Sequence, residues 1–290
     1  MSFQKRLASG EFVVLAEMDT PKGVDISELI TNARRIKGRV DAVVIPDMSD
    51  GMMRMSALGG GVLMHQQGME AVIHVCPRDR NRLALQAELL SAHVLGIQNL
   101  VVVHGEDMAY GDHFDAKTVD DIDELELFGA IRSLQDGVDM AGIELKGAPS
   151  FTVGCTIEPY VDDKALEKQL AVVEKKVQAG AQFLISPPVF DLEVFSLFHE
   201  KAKGLGVPIL PTVFLLKSVG IARYMATTLP AYHISEGLIQ RIRQAKNREM
   251  ECVRIAGETG ANLRGLAQGV QIVTLGWEHE LPNILDFAGL

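Results

Sequence analysis

Two short segments place carboxylates and a histidine directly after apolar runs. Glu17 ends the segment FVVLAE, and the segment VVVHGED carries His104, Gly105, Glu106 and Asp107. Burial at the end of an apolar strand disfavours a charged carboxylate and raises its pKa, which would suit Glu17 to general acid chemistry near neutral pH. Gly105 would let a ligand approach the backbone closely between the histidine and the acids. The alternatives are an ion-paired Glu17 and a solvated acidic loop.

A histidine and an arginine-rich segment each admit two interpretations. His74 lies between Ile73 and Val75, where it is either a hydrogen-bonded core histidine or a residue that faces a ligand. The segment RDRNR at 78–82 could hold a phosphate at a helix N-terminus. It is more typical of a helix start, in which Asp79 caps the helix and the arginines pair with acids. The sequence has no tight His, Cys, Asp or Glu cluster of metal-site spacing, so we expect no metal.

The charge balance and the cysteine spacing exclude several classes of protein. Twenty-eight Lys and Arg against 38 Asp and Glu give a net charge of −10, which argues against a general nucleic-acid binder. Cys76, Cys155 and Cys252 are too far apart for a CxxC site and too few for a disulfide scaffold. The first residues lack a signal-peptide pattern, and no apolar run approaches roughly 18 residues. We therefore expect a cytoplasmic chain that binds neither nucleic acid nor a membrane.

Eight short apolar runs alternate with stretches of helical periodicity. Such runs are typical of strands covered on both faces, and their alternation with helices predicts an α/β fold with a parallel sheet. The runs span residues 12–16, 42–45, 71–75, 100–103, 151–153, 183–185, 209–213 and 270–275. Eight runs without a GxGxxG segment favour a (β/α)₈ TIM barrel over a doubly wound sheet, as one domain over residues 1–290 with extra helices between Leu215 and Gly269. The residues that follow the strands then meet at one rim.

Taken in order, the segments after these runs resemble the methylenetetrahydrofolate reductase family of flavin-dependent barrels. The resemblance covers nearly the whole chain and rests on VLAEM, HVCPRDRNRLALQAELLSAHVLGIQNLVVVHGE, GDHFDAKTVDDID, the IEP turn, KKVQAGAQFLISPPVFD, GVQIVTLG and PNILDFAGL. It implies reduction of 5,10-methylenetetrahydrofolate to 5-methyltetrahydrofolate, or the reverse, through a bound flavin. The flavin is FAD in most members, with FMN left open. NAD(P)H or an electron-transfer partner protein would reduce it.

The resemblance also implies roles for individual residues. Glu17 takes the position of the acid that protonates the departing pterin nitrogen, and Glu106 takes that of an aspartate that faces both pterin and flavin. Pro187 stands where the family's glutamine meets the folate. Flavin contacts are implied for a set of residues of which the last lies near the cofactor phosphates: Ile45, His74, His104, Gly105, Glu106, Asp121, Glu158 and Lys176.

This sequence departs from the family pattern at three of these positions. Glu106 replaces an aspartate with a longer carboxylate, His104 stands where arginine is common, and Pro187 offers no side-chain donor or acceptor. Two alternatives therefore stay open. One is a flavin- or folate-binding subunit of a larger electron-transfer or methyl-transfer complex, with little activity alone; the other is a non-flavin barrel such as a folate-linked methyltransferase. The electron donor and homo-oligomer formation are also left open.

Overall fold

The computed structural model describes residues 2–290, and its strands form a closed barrel in which each strand pairs in parallel with the next and the last pairs with the first. The predicted (β/α)₈ TIM barrel is thus confirmed, and each predicted run overlaps a strand. The strands are β1 (Val13–Glu17), β2 (Ala42–Ile45), β3 (Ala71–Val75), β4 (Asn99–Val102), β5 (Thr152–Thr156), β6 (Phe183–Pro188), β7 (Ile209–Phe214) and β8 (Gly269–Val273).

Helices separate the strands and cover the barrel. Within the described residues they are α1 (Phe3–Ser9), α2 (Ser27–Ile36), α3 (Ala57–Gln66), α4 (Arg82–Val94), α5 (Glu124–Gln135), α6 (Asp163–Ala179), α7 (Leu192–Ala202), α8 (Val219–Thr228), α9 (Glu236–Gln244), α10 (Arg248–Leu263) and α11 (Leu281–Ala288). The segment from Leu215 to Gly269 holds α8, α9 and α10, so the extra helices are confirmed. None of the helices in residues 2–290 combines the length and apolar character needed to cross a membrane.

The core has two layers, one inside the barrel and one between the strands and the helices, because successive side chains of a strand point to opposite faces of the sheet. The inner layer includes Val13 and Leu15 of β1, and Phe183 at the start of β6. Phe3 of α1 meets the Phe183 ring edge-on at 5.5 Å and closes the N-terminal end of the barrel. The apolar filling of this end leaves polar inward positions near the carboxyl ends of the strands, where a site can form.

Helix α3 packs unusually close to the barrel through consecutive glycines. A Cβ at Gly60 would lie 2.7 Å from Ile45 Cγ2, and a Cβ at Gly61 would lie 2.7 Å from Ile73 Cγ2. Both distances are too short for carbon atoms that are not bonded to each other. The glycines therefore let α3 approach β2 and β3 until the isoleucine side chains fill the space that a methyl group would need.

Candidate active site at the carboxyl ends of the strands

The carboxyl end of β1 presents Glu17 to the barrel mouth. Gln271 of β8 donates a hydrogen bond from Nε2 to Glu17 Oε2 at 2.9 Å. Burial, and then the negative charges of Asp19 and Glu278, raise the pKa of Glu17 to about 8. A carboxyl group with such a pKa is protonated at neutral pH. It is therefore chemically suited to give a proton to a group bound in the mouth.

Two further acids lie beside Glu17, and sequence analysis did not single them out. Burial raises the pKa of both Asp19 and Glu278, while Arg54 counteracts the shift at Asp19. Arg54 Nη1 lies 3.5 Å from Asp19 Oδ2. Asp19, Arg54 and Glu278 line a cavity of about 210 Å³ next to the β1 end. Their signal in the sequence was their position in the segments after two strands, since Asp19 comes shortly after the end of β1 and Glu278 lies in the segment between β8 and α11.

His74 of β3 has no hydrogen-bond partner on either ring nitrogen within residues 2–290, and both nitrogens are buried. Burial lowers the pKa of His74 to about 4, against the opposing charge of Asp47. The imidazole is therefore neutral at pH 7. A core histidine would normally have its polar atoms satisfied, because an unsatisfied buried group costs free energy. The partners that a hydrogen-bonded core histidine requires are not present within residues 2–290. The unpartnered nitrogens favour the other interpretation, in which His74 faces a ligand.

A large cavity lies beneath the segment that follows β4. Its volume is about 1020 Å³, and His104, Gly105 and Glu106 line it together with Arg78 and Glu124. Cofactor and ligand pockets usually measure roughly 300–1000 Å³. The cavity is therefore large enough for a dinucleotide cofactor, and three residues for which the resemblance implies flavin contacts lie on its wall.

Glu124 connects two residues that were predicted separately. Its Oε1 lies 3.2 Å from His104 Nδ1, and its Oε2 lies 2.6 Å from Lys176 Nζ. Lys176 is buried and also donates to the Thr156 carbonyl oxygen at 3.2 Å. Because Glu124 lines the large cavity, the lysine is linked to that cavity through Glu124. Sequence analysis did not select Glu124, since it begins α5 after a long polar loop.

Arg78 fixes the loops that roof the cavity. Its guanidinium donates to the carbonyl oxygens of Met48 at 2.7 Å, Ser49 at 3.0 Å and Glu106 at 2.5 Å. A Cβ at Gly105 would lie 2.8 Å from Arg78 Cδ. Gly105 therefore makes room for the arginine beneath it. The close approach of a ligand at Gly105 stays a prediction.

The other side of the mouth combines acids with apolar side chains. In a closed ring of eight strands, β4 and β5 lie across from β8 and β1. Glu106 and Glu158 follow β4 and β5, and their charges add to burial in raising the pKa of Tyr232. Tyr232 and Pro187 line a narrow cavity of about 40 Å³ together with Phe190. The charges of Glu106 and Glu158 therefore act on Tyr232, a residue that sequence analysis did not select and that lines this cavity with Pro187.

Residues 2–289 match the family model of methylenetetrahydrofolate reductase. The chain belongs to the methylenetetrahydrofolate reductase family. A curated relative, methylenetetrahydrofolate reductase 2 from Schizosaccharomyces pombe, is 23% identical over 252 residues, which cover 79% of this chain and 37% of the relative. The chain thus spans just over a third of that relative's length. The solved structure of EDTA monooxygenase EmoA from Chelativorans sp. BNC1 is similar in fold, with a TM-score of 0.55, 9% identity and coverage of 96% of this chain and 94% of that chain.

Two residues for which the family resemblance implied flavin contacts make other side-chain contacts in this reductase-family barrel. The Asp121 carboxylate is occupied by Arg82, with Oδ2 3.0 Å from Arg82 Nε and 2.8 Å from its backbone nitrogen. The Ile45 side chain packs outward against Gly60 of α3. An ion pair thus holds the Asp121 carboxylate, and packing against α3 holds the Ile45 side chain. The flavin contacts implied for these two residues stay predictions.

The arginines of segment 78–82 pair with acids, as the helix-start interpretation predicted. Arg80 Nη1 lies 2.6 Å from Asp47 Oδ2, and Arg82 binds Asp121. The N-terminal cap of α4 is Asn81 and not the predicted Asp79, since Asn81 Oδ1 accepts a hydrogen bond from the Ala84 N–H at 3.0 Å. The phosphate interpretation is wrong for this segment, since its arginines are bound within the chain. Within residues 2–290, no three His, Cys, Asp or Glu side chains are grouped to hold a metal ion.

Proposed function

We propose that this chain reduces 5,10-methylenetetrahydrofolate to 5-methyltetrahydrofolate with a bound flavin, FAD or FMN. Membership of the methylenetetrahydrofolate reductase family supports this reaction class. The observation that carries the proposal is Glu17, a carboxyl group at the barrel mouth whose pKa is raised to about 8. Opening the five-membered ring of the substrate requires a proton at its departing nitrogen, and a neutral carboxylic acid supplies one at physiological pH.

The residues around the mouth fit a flavin. His74 offers two buried ring nitrogens that lack partners within the described residues, which suits it to hydrogen bonds with the polar edge of a bound ring. The cavity of about 1020 Å³, lined by His104, Gly105 and Glu106, has room for the rest of the cofactor. When bound, the flavin would transfer a hydride to the methylene carbon of the substrate. Glu158 and the Lys176–Glu124 pair would border the same ligand.

The chain's own residues would orient the folate and supply the proton that its departing nitrogen needs. Glu17 enters each cycle as the neutral acid, because burial and the charges of Asp19 and Glu278 disfavour its ionisation. It gives its proton to the departing nitrogen and becomes a carboxylate. Gln271 then donates to the carboxylate oxygen. Glu106, across the mouth from Glu17, supplies an exposed carboxylate that can accept hydrogen bonds from the amino and ring N–H groups of the pterin.

An electron-transfer partner protein is the second candidate for the reductant, beside NAD(P)H. Pro187 supports it, because this residue places an apolar ring among Tyr232 and Phe190 where a side-chain amide would be needed to bind a carboxamide. Turnover of the isolated chain with NADH and NADPH as sole donors would remove the need for a partner.

Purification of the chain tests the proposal directly. We expect a yellow protein whose heat-released cofactor has the mass of FAD or FMN, and which oxidises methyltetrahydrofolate with an artificial electron acceptor. A protein that binds tetrahydrofolate but neither carries nor takes up flavin would support a folate-linked methyltransferase instead. A flavoprotein with no folate turnover under any donor would contradict the reductase activity.

A further inference from the structure

Gln271 occupies an inward position of β8 directly beside Glu17. Its Cα pairs with that of Leu15 in β1 and that of Thr212 in β7, and 4% of the residue is exposed. The amide Nε2 donates to Glu17 Oε2 at 2.9 Å, whereas the amide Oε1 is buried without a partner within residues 2–290. The carboxamide therefore donates one hydrogen bond to Glu17, and its oxygen is unpartnered inside the mouth.

We propose that Gln271 is a positioning residue that holds the Glu17 carboxyl group in both its charged and its neutral state. The proposal rests on the proposed function, in which Glu17 changes charge once in each cycle. A carboxamide carries a donor and an acceptor on one rotating group. It donates from Nε2 to the carboxylate, and after a half-turn it accepts from the O–H of the acid through Oε1, the atom that now lacks a partner.

Other groups around Glu17 act on it through charge alone. The carboxylate form of Glu17 is disfavoured by three negative charges: Asp19 after β1, Glu278 after β8 and Asp50 after β2. Arg54 favours it. Lys217 after β7 acts in turn on Asp19 and Glu278. Within the described residues, Gln271 is the side chain that hydrogen-bonds to the Glu17 carboxyl group. Orientation of the acid therefore depends on Gln271.

The two hydrogen bonds differ in strength, because the charge-assisted bond to the carboxylate is stronger than the bond to the neutral acid, so Gln271 favours the charged form on balance. Gln271→Met keeps the length of the side chain and removes the donor, so the midpoint of Glu17 ionisation should rise by about one pH unit. Gln271→Glu places a second acid against Glu17 and should raise that midpoint further, because like charges oppose each other's ionisation. A role in packing alone would move neither midpoint.

Thr212 provides a matched control in the same layer of the barrel. It is buried, pairs with Gln271 across the β7–β8 ladder, and donates from Oγ1 to the Ser186 carbonyl oxygen at 2.7 Å instead of to Glu17. Thr212→Val removes a buried hydrogen bond of the barrel interior without touching the Glu17 carboxyl group. It should leave the ionisation midpoint of Glu17 unchanged.

The experiment combines two readouts on the full chain. The first is the pH titration of the infrared band of a protonated carboxyl group that Glu17→Gln removes, which requires no turnover. The second is the pH dependence of kcat/KM for methylenetetrahydrofolate. We expect both midpoints to rise in Gln271→Met, to rise further in Gln271→Glu, and to stay in place in Thr212→Val.

The two failures are distinguishable. Unchanged infrared midpoints in both folded Gln271 variants, or an equal shift in Thr212→Val, would overturn the role of Gln271 even if the enzyme reduces folate. Absence of folate turnover in the parent chain, together with the predicted infrared shifts, would overturn the proposed function and leave the Gln271–Glu17 contact established.

Discussion

Lys176 Nζ lies 2.6 Å from Glu124 Oε2 at the edge of the large cavity, with 6% of the lysine and 16% of the glutamate side chain exposed. A buried ion pair itself adds little to the free energy of unfolding. Removal of one partner costs much more, because the remaining buried charge then lacks both water and a counter-ion. The pair therefore makes this side of the cavity wall sensitive to single substitutions.

Lys176→Met should lower the free energy of unfolding by about 3 kcal/mol. The double variant Lys176→Met/Glu124→Gln should recover part of that loss, because no buried charge is then left alone. Urea titrations of both variants measure the coupling. Lys203→Met, which breaks the exposed pair with Glu200, is the control and should leave stability nearly unchanged. Additive losses in the double variant would show that the two charges do not depend on each other.

The raised pKa of Glu17 predicts a specific pH dependence of stability. The folded chain binds a proton at Glu17 with a pKa of about 8, against 4.5 for the ordinary group, so the folded state holds more protons between these values. The unfolding free energy contributed by Glu17 is therefore greatest below 4.5 and falls as the pH rises to about 8. Glu17→Gln should flatten this part of the curve.

Denaturant unfolding at several pH values compares the parent chain with Glu17→Gln. Asp19 and Glu278, whose pKa values are also raised by burial, remain in both proteins, so the difference between the two curves isolates Glu17. A constant difference from acidic to mildly alkaline pH would mean that Glu17 ionises normally in the folded chain.

His74 should matter more to ligand binding than to folding. His74→Phe replaces two buried ring nitrogens without partners in the described residues by an apolar ring of similar shape, so the flavin-free protein should be as stable as the parent or more so. Flavin affinity should fall roughly fivefold for one lost hydrogen bond and roughly thirtyfold for two. Thermal unfolding and fluorescence titration with flavin measure the two effects.

His93→Phe is the control for that substitution. His93 Nδ1 accepts the Ser150 N–H at 3.2 Å on the outside of the barrel, so its loss should leave flavin affinity unchanged. Equal effects of the two substitutions on flavin binding would contradict a contact between His74 and the cofactor.

The three consecutive glycines of α3 should respond differently to alanine. Gly60→Ala and Gly61→Ala force a methyl group to within 2.7 Å of isoleucine side chains or closer, and overpacking of this kind costs roughly 1–3 kcal/mol. At Gly59 the nearest atom, Met55 Cγ, is 3.4 Å away, so Gly59→Ala should stabilise the helix by up to about 1 kcal/mol. Thermal unfolding of the three variants checks the order; destabilisation by Gly59→Ala alone would contradict it.

The barrel was predictable because each buried strand shows as a short apolar run, whatever its partners are. Glu17 was predictable for the same reason, since a carboxylate that ends such a run must lie at the rim. Gln271 and Glu124 were not, because their importance comes from contacts with residues far away in the chain. Flavin contacts of Asp121 and Ile45 came from family resemblance alone, and the sequence did not reveal the contacts that these side chains make with Arg82 and α3.

We propose Glu17 as the acid of the folate step. Stopped-flow mixing of the flavin-reduced protein with methylenetetrahydrofolate measures that step alone, and mixing of the oxidised protein with the electron donor measures the other. Glu88→Gln is the control. Burial also raises the pKa of Glu88, but this residue lies on helix α4 and pairs with Arg80. We predict that Glu17→Gln reduces its flavin normally and loses reoxidation by folate, while Glu88→Gln retains both. Reoxidation of Glu17→Gln at the parent rate would contradict the account.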